Sequence, residues 1–228
     1  MPSDQLSGPG QLDAYLTSLH RALSRLDRAA VARYAQALVG ARADGRRVFV
    51  FGNGGSSSIA SHHVADLVKT AAVAGAAPLA AFCLSDNTPL VTAISNDIAY
   101  EECFAYQLAA YAGPGDVAVA ISCSGTSPNV VLAARAAVDR GMLLVALTGD
   151  TAQGAAALAD IHVRVAASNY GVIEDVHHSV AHAASQLLRT AVEQEQAAGG
   201  GVPPAGGVPD DPTGLLGLPA LPGLLPSR

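Results

Sequence analysis

Tryptophan is absent from this chain, and phenylalanine and tyrosine together supply only 4% of its 228 residues, although half of the residues are hydrophobic. An interior with so few rings has to be built from Ala, Val and Leu, small side chains that let helices pack closely. Charge is scarce as well: 14% of the residues are charged, with 13 Lys plus Arg against 19 Asp plus Glu and a formal net charge of −6. That balance excludes the basic surface needed to grip a phosphodiester backbone, so nucleic acid is not an expected partner. Lys69 is the sole lysine. Cys83, Cys103 and Cys123 are odd in number and form no CxxC pair, which excludes a complete disulfide framework and a cysteine zinc cluster and fits a reducing cytoplasm. No run of about 18 apolar residues occurs that could span a bilayer, and the segment MPSDQLSGPGQLDAY has neither a cationic nor an apolar stretch of the export type. The expectation is a cytoplasmic protein with one main domain, away from membranes.

What is present is a regular alternation. Leu12, Leu16, Leu19, Leu23 and Leu26, then Val31, Tyr34, Leu38 and Val39, recur at helical spacing and predict a helical hairpin over residues 11–44. Val48 to Phe51 then reads as a strand ending at Gly52. The serine run that follows is suited to capping a helix. Four more apolar runs follow at Leu79 to Leu84, Val117 to Ser122, Leu143 to Thr148 and Ile161 to Val165, with helical patterns between them. Near-continuous apolar strands such as DVAVAIS and MLLVALT need burial on both faces, so the fold class is α/β: a five-stranded parallel sheet between two helical layers. A last helix is predicted from near Ile173 to Gln196. Residues 197–228 contain eight Gly, seven Pro and six Leu and predict an extension without long regular elements, outside a domain spanning 11–196 and a flexible leader over 1–10.

In open parallel sheets ligands sit beyond the carboxyl ends of the strands, where helix N-termini present free N–H groups. Two turns suit that place: Gly52-Asn53-Gly54-Gly55-Ser56 after the first strand and Ser122-Cys123-Ser124-Gly125-Thr126-Ser127-Pro128-Asn129 after the third. The second gathers hydroxyl and thiol side chains around one glycine and ends in a proline suited to the first helical position, an anion cradle of neutral donors matched to a phosphate monoester. Neither turn has the P-loop pattern or the glycine spacing of a dinucleotide fold, so ATP and NAD are not expected ligands.

The segments GNGGSSSIASHHVADL, LSDNTPLVTAISNDIAYEECF, ISCSGTSPNV and IEDVHHSVAH, in this order, resemble the sugar isomerase (SIS) domain, specifically its phosphoheptose isomerase branch, from about Arg47 to Gln194. The resemblance implies a flavodoxin-like sheet preceded by the helical hairpin, a homotetramer with active sites at subunit interfaces, and aldose–ketose isomerisation of sedoheptulose 7-phosphate to a heptose 7-phosphate. It implies that Ser122, Cys123, Ser124 and Ser127 hold the phosphate, that Asn53, Gly54, Ser56 and Asp97 meet substrate, and that His62, Asp66, Glu174 and His182 form the reaction centre, which in some members binds zinc. The branch usually has Glu at Asp66, Gln at Glu174, Thr at Cys123, Asp at Gly171 and Arg at Thr70.

The residues support that chemistry on their own terms. Moving a proton between adjacent carbons through an enediol needs a base, an acid and stabilisation of an oxyanion. His62 and Asp66 are four apart on one helix face, while Glu174, His178 and His182 recur every four residues on another. Asp66 or Glu174 is the expected base and His182 the acid or its partner, with Glu174 also a substrate contact. His62, Asp66, Glu174 and His182 are the expected zinc ligands. His63 and His177 point elsewhere on their helices and are read as bystanders, and Lys69, beside the position of the missing arginine, as a possible substitute for it or a solvated lysine. Two other readings share the fold: an isomerase of a longer ketose phosphate, such as an octulose 8-phosphate in antibiotic sugar assembly, and a non-catalytic SIS-fold scaffold. Retention of His62 and His182 favours an enzyme.

Overall fold

In the computed structural model, which describes residues 9–199, the hairpin comes first: α1 (Pro9–Ser24) and α2 (Arg28–Ala43) are joined by a short turn. Asp27 closes that turn, its carboxylate accepting hydrogen bonds from the N–H groups of Ala29 and Ala30 at 2.9 and 3.1 Å, a standard use of aspartate at a helix start. There follow β1 (Arg47–Gly52), α3 (Gly55–Ala65) running into a π-helical turn (Asp66–Thr70), β2 (Ala80–Cys83), α4 (Thr88–Asp97), a 3₁₀ turn (Tyr100–Glu102) and α5 (Ala105–Tyr111). The second half contains β3 (Val117–Ser122), α6 (Pro128–Asp139), β4 (Leu143–Thr148), α7 (Ala155–Leu158), β5 (Ile161–Arg164) and α8 (Tyr170–Ala197).

All five strands are parallel, in the order β2-β1-β3-β4-β5. Successive strand residues point to opposite faces, and each face has its own core. Val48 and Val50, Val117, Val119 and Ile121, and Val145 and Leu147 meet α2, α3 and α8 on one side. Phe49 and Phe51, Ala118 and Ala120, and Leu144 and Ala146 meet α5, α6 and α7 on the other. This is the predicted three-layer sandwich, and β3, buried at every residue, shows why its sequence is apolar throughout. The alanines have a specific use: Ala133, Ala134 and Ala137 of α6 are fully buried against Ala118 and Ala120, so helix and sheet approach closely without rings.

Three local features differ from the sequence reading. The last helix starts at Tyr170, three residues before Ile173, because Asn169 accepts a hydrogen bond from the Val172 N–H at 3.2 Å and caps it there. The serines after β1 lie inside α3; the cap position is Gly54, at φ 55°, and offers no side-chain acceptor. Asp97, expected to meet substrate, is the exposed last residue of α4. The leader 1–8 and the Leu-bearing extension beyond Gly199 lie outside the described residues. Among the described residues no helix is long and apolar enough to cross a membrane.

Candidate active site

The order in which strands are added to the sheet reverses between β1 and β3, the place where an open α/β sheet leaves a crevice at its carboxyl edge. Both predicted turns are there. Asn53 to Ser56 and Ser122 to Ser127 line one cleft of about 330 Å³, closed on its third side by Tyr170 and Glu174 at the start of α8. The two turns are tied by a reciprocal amide pair: Asn53 Nδ2 donates to Asn129 Oδ1 at 2.9 Å, and Asn129 Nδ2 to Asn53 Oδ1 at 2.8 Å. The Tyr100 hydroxyl adds a third bond to Asn53 Oδ1 at 2.9 Å. Asn129 closes the turn read from sequence, where no role attached to it, and Tyr100 was not singled out.

Within the serine turn the hydroxyl oxygens fold the loop and leave their protons for a guest. Ser122 Oγ accepts from the Gly125 N–H at 3.1 Å, with Gly125 at φ 69°, and Ser124 Oγ accepts from the Thr126 N–H at 3.2 Å. Ser127 stands at the cap position of α6 with no side-chain cap bond, and Pro128 takes the first helical position as predicted. Burial, with Glu174 close by, pushes the Cys123 thiol up to about 11, so it is a neutral member of the loop at physiological pH. The cradle therefore offers hydroxyls and helix N–H groups and no formal charge.

Glu174 is not with the histidines. Its carboxylate lies against Gly55, so close that a Cβ built on that glycine would be 2.4 Å from Oε1 and 2.5 Å from Oε2. Glycine is what admits a carboxylate to the N-terminus of α3, where the helix dipole favours negative charge. On α8, His178 and His182 follow one and two turns later, about 6 and 12 Å along the axis at 1.5 Å per residue.

The imidazoles form a second group. α3 packs across α8 and sets the His62 ring edge-on to both others, with centroids 4.5 Å from His178 and 4.9 Å from His182, while His178 and His182 stack at 4.7 Å. His62, His178 and His182 each bring a ring nitrogen to within 4.8 Å of the others. Asp66, at the start of the π-helical turn, stands beside them: His182 Nδ1 is 2.9 Å from its Oδ2, His62 Nε2 is 3.6 Å from the same oxygen, and the Thr70 hydroxyl donates to Oδ1 at 3.0 Å. Burial, followed by the neighbouring His62 and His182, holds the His178 pKa below its ordinary value and keeps that ring neutral. Its Nε2 is buried with no hydrogen-bond partner.

Thus three of the four expected metal residues, His62, Asp66 and His182, come together; Glu174 joins the serine cleft, and His178, unassigned from sequence, takes the place nearest the other rings. The cluster fits a divalent ion, with three imidazoles and one unsatisfied nitrogen among them. The remaining expected contacts divide as follows. Asn53, Gly54, Ser56, Ser122, Cys123, Ser124 and Ser127 all line the cleft. Asp97 does not line it and accepts from Asn96 Nδ2 on the surface. Lys69 is exposed in the π-helical turn. His63 is structural: with the buried Tyr34 hydroxyl donating to Nε2, its Nδ1–H donates to Ser185 Oγ at 3.3 Å, joining α2, α3 and α8 directly behind the site.

The SIS domain family profile matches residues 13–149, more than half of the chain. A phosphoheptose isomerase from Shewanella sp. (strain ANA-3) is 37% identical over 170 residues, covering 73% of this chain and 86% of the relative. The chain belongs to the phosphoheptose isomerase family of SIS domains. Solved structures agree. A phosphoheptose isomerase from Francisella tularensis superposes with a TM-score of 0.73 at 27% identity, covering 79% of this chain and 95% of that one. One from Neisseria gonorrhoeae gives 0.72 at 28%, covering 79% and 96%.

Proposed function

We propose that this member of the family is an aldose–ketose isomerase that converts sedoheptulose 7-phosphate to a heptose 7-phosphate through an enediol. The observation that carries the reading is the pairing of an uncharged anion cradle with a carboxylate–imidazole pair about two helical turns farther along α8. The cradle, Ser122 to Ser127 with the N-terminus of α6, takes the phosphate and fixes the sugar's direction. Asn53, Ser56 and Glu174 accept and donate along its hydroxyls. The reacting end then reaches Asp66 and His182.

Asp66 is the base. It takes the proton from C1 of the ketose and returns it to C2, while the hydroxyl proton passes between O1 and O2. His182 keeps the carboxylate oriented through its Nδ1–H, which leaves Nε2 as the ring atom available on the other side. Shortening glutamate to aspartate at this position is offset locally: Asp66 sits where α3 widens into a π-helical turn, a distortion often found at working sites. A divalent metal such as zinc, held at the histidines, would supply Lewis-acid polarisation of the substrate oxygens. A homotetramer with interfacial sites completes the proposal, supported by Leu12, Leu16 and Leu23 exposed on α1, which itself leans on α8 through a 2.6 Å bond from the Tyr15 hydroxyl to Asp175.

The test is incubation of the purified chain with sedoheptulose 7-phosphate and with five-, six- and eight-carbon ketose phosphates, following aldose formation. Turnover of the seven-carbon ketose is expected, with Asp66→Asn lowering kcat at least about 100-fold, the scale of general acid–base catalysis. Turnover confined to the eight-carbon ketose would move the assignment to the longer substrate, and no turnover of any would leave a binding protein.

A further inference from the structure

The three imidazoles do not look like a set of independent acid–base groups. His178 and His182 are four apart on α8 and so share one face, the helical spacing at which paired histidines grip a metal. His62 arrives from α3, with its ring perpendicular to His182 and nearly so to His178. Three side chains from two packed helices converge on one volume, as in metal sites built in the cores of helical bundles. A tetrahedral zinc ion with bonds of about 2.0–2.1 Å places its ligand nitrogens about 3.3 Å apart. Donor atoms within 4.8 Å of one another reach that spacing by modest side-chain rotation.

We propose that His62, His178 and His182 are the three protein ligands of one divalent metal ion, with Asp66 an outer carboxylate and Glu174 not a ligand. Three observations carry the assignment. His178 Nε2 is buried and lacks any partner, an unmet demand that an ion among the rings satisfies. Asp66 Oδ2 is already engaged by His182 Nδ1 at 2.9 Å, the carboxylate–histidine pairing that fixes ring tautomer and orientation behind a metal and leaves Nε2 for coordination. Glu174 is committed elsewhere, against Gly55 at the mouth of the serine cleft.

The ligand set has a chemical consequence. Three neutral imidazoles leave the ion's two positive charges unreduced, whereas His62, Asp66, Glu174 and His182 would cancel them. Three protein ligands also leave a fourth position open, the arrangement of metal sites that act on a substrate rather than hold a fold together. The open position can take the oxygens of a ketose next to Asp66. Only this consequence rests on the isomerase reading; the ligand assignment does not.

The test uses the full chain, stripped with a chelator and titrated with Zn2+ against a chromophoric competitor, and in parallel with Co2+ followed by absorption. One ion per chain is expected, with the visible bands of four-coordinate Co2+. His178→Ala should weaken Zn2+ binding by well over about 100-fold, beyond the upper range for loss of an outer partner. His178→Cys, should the alanine variant not fold, should restore binding and add a sulfur-to-cobalt charge-transfer band, which only direct ligation produces. Glu174→Gln should bind Zn2+ like the parent. Parent-like affinity in His178→Ala, absence of the sulfur band, or loss of the ion in Glu174→Gln would each overturn the assignment. If binding follows this pattern but no ketose phosphate turns over, the isomerase reading fails and the metal centre stands.

Discussion

Acid should unfold this protein earlier and more steeply than its low charge suggests, and the cause lies in two imidazoles that never reach solvent. His63 and His177 are fully buried. Burial holds the His63 pKa down to about 3 and that of His177 to about 4, against about 6.5 in an unfolded chain. Above pH 6.5 both rings are neutral in either state and their contribution to folding stability is fully present. As the pH falls below 6.5 the unfolded chain takes up two protons that the folded chain refuses, so stability declines down to the folded-state values near 4 and 3. Each group contributes about 1.4 kcal/mol per pH unit over that window. By pH 4.5 the two together cost about 5 kcal/mol, set against a typical total of about 5–15 kcal/mol. His162 and His178, also shifted downward by burial first, add in the same direction. Urea unfolding followed by far-ultraviolet circular dichroism should show the midpoint dropping by about 2 M between pH 6.5 and 4.5. The double variant His63→Gln, His177→Leu, which removes both titrations, should lose less than half as much. A parent midpoint constant across this range, or a double variant as acid-sensitive as the parent, would refute the reasoning.

Gly55→Ala inserts a methyl group 2.4 Å from Glu174 Oε1 and must displace that carboxylate; KM for the sugar phosphate should rise about 10- to 100-fold with thermal stability little changed, as steady-state kinetics and a melting curve will report. Glu174→Gln keeps the shape but not the charge, so it should raise KM more than it lowers kcat if the residue holds sugar hydroxyls, whereas a large fall in kcat alone would make it the base. Tyr34→Phe leaves His63 Nε2 buried without its donor at a cost of about 1–3 kcal/mol, lowering Tm by about 3–10 °C in calorimetry.

The sheet was legible in the sequence because two-sided burial leaves no room for polar residues in a central strand. Val117–Ser122 and Leu143–Thr148 were located to the residue, and the two edge strands are the ones that shortened, β2 to Ala80–Cys83 and β5 to Ile161–Arg164, since an edge needs fewer partners. Features set by side-chain acceptors outside the apolar pattern were not legible in the same way. Asn169 moved the start of α8, and nothing in the periodicity of SHHVADLVKT announces that one extra residue is accommodated at Asp66 to form a π-helical turn. The site divides along the same line. The cradle could be read because its turn chemistry is local: serines, one glycine and one proline within seven residues. The reaction centre could be read only as spacing on two helices. Whether Glu174 or His178 meets His62 depends on the height at which α3 crosses α8, and that is a property of packing. Four-residue spacing allowed both, and the crossing selects His178.

That crossing also explains how an acidic chain arranges its ligand. The N-termini of α3 and α6 both open on the cleft, and either could receive an anion. Glu174 already occupies the first, against Gly55. A phosphate brought there would face a carboxylate, a like-charge contact that disfavours both groups. The second terminus is free of formal charge, because Ser122, Ser124 and Ser127 are neutral and Cys123 keeps its proton with a pKa near 11. On the proposed reading this directs the phosphate to α6. Under the proposed function, with that end fixed, the sugar would run from α6 past Glu174 and along α8 toward Asp66 and the imidazoles, so the acidic residue standing where the resemblance implies glutamine would set the polarity of the substrate in the cleft.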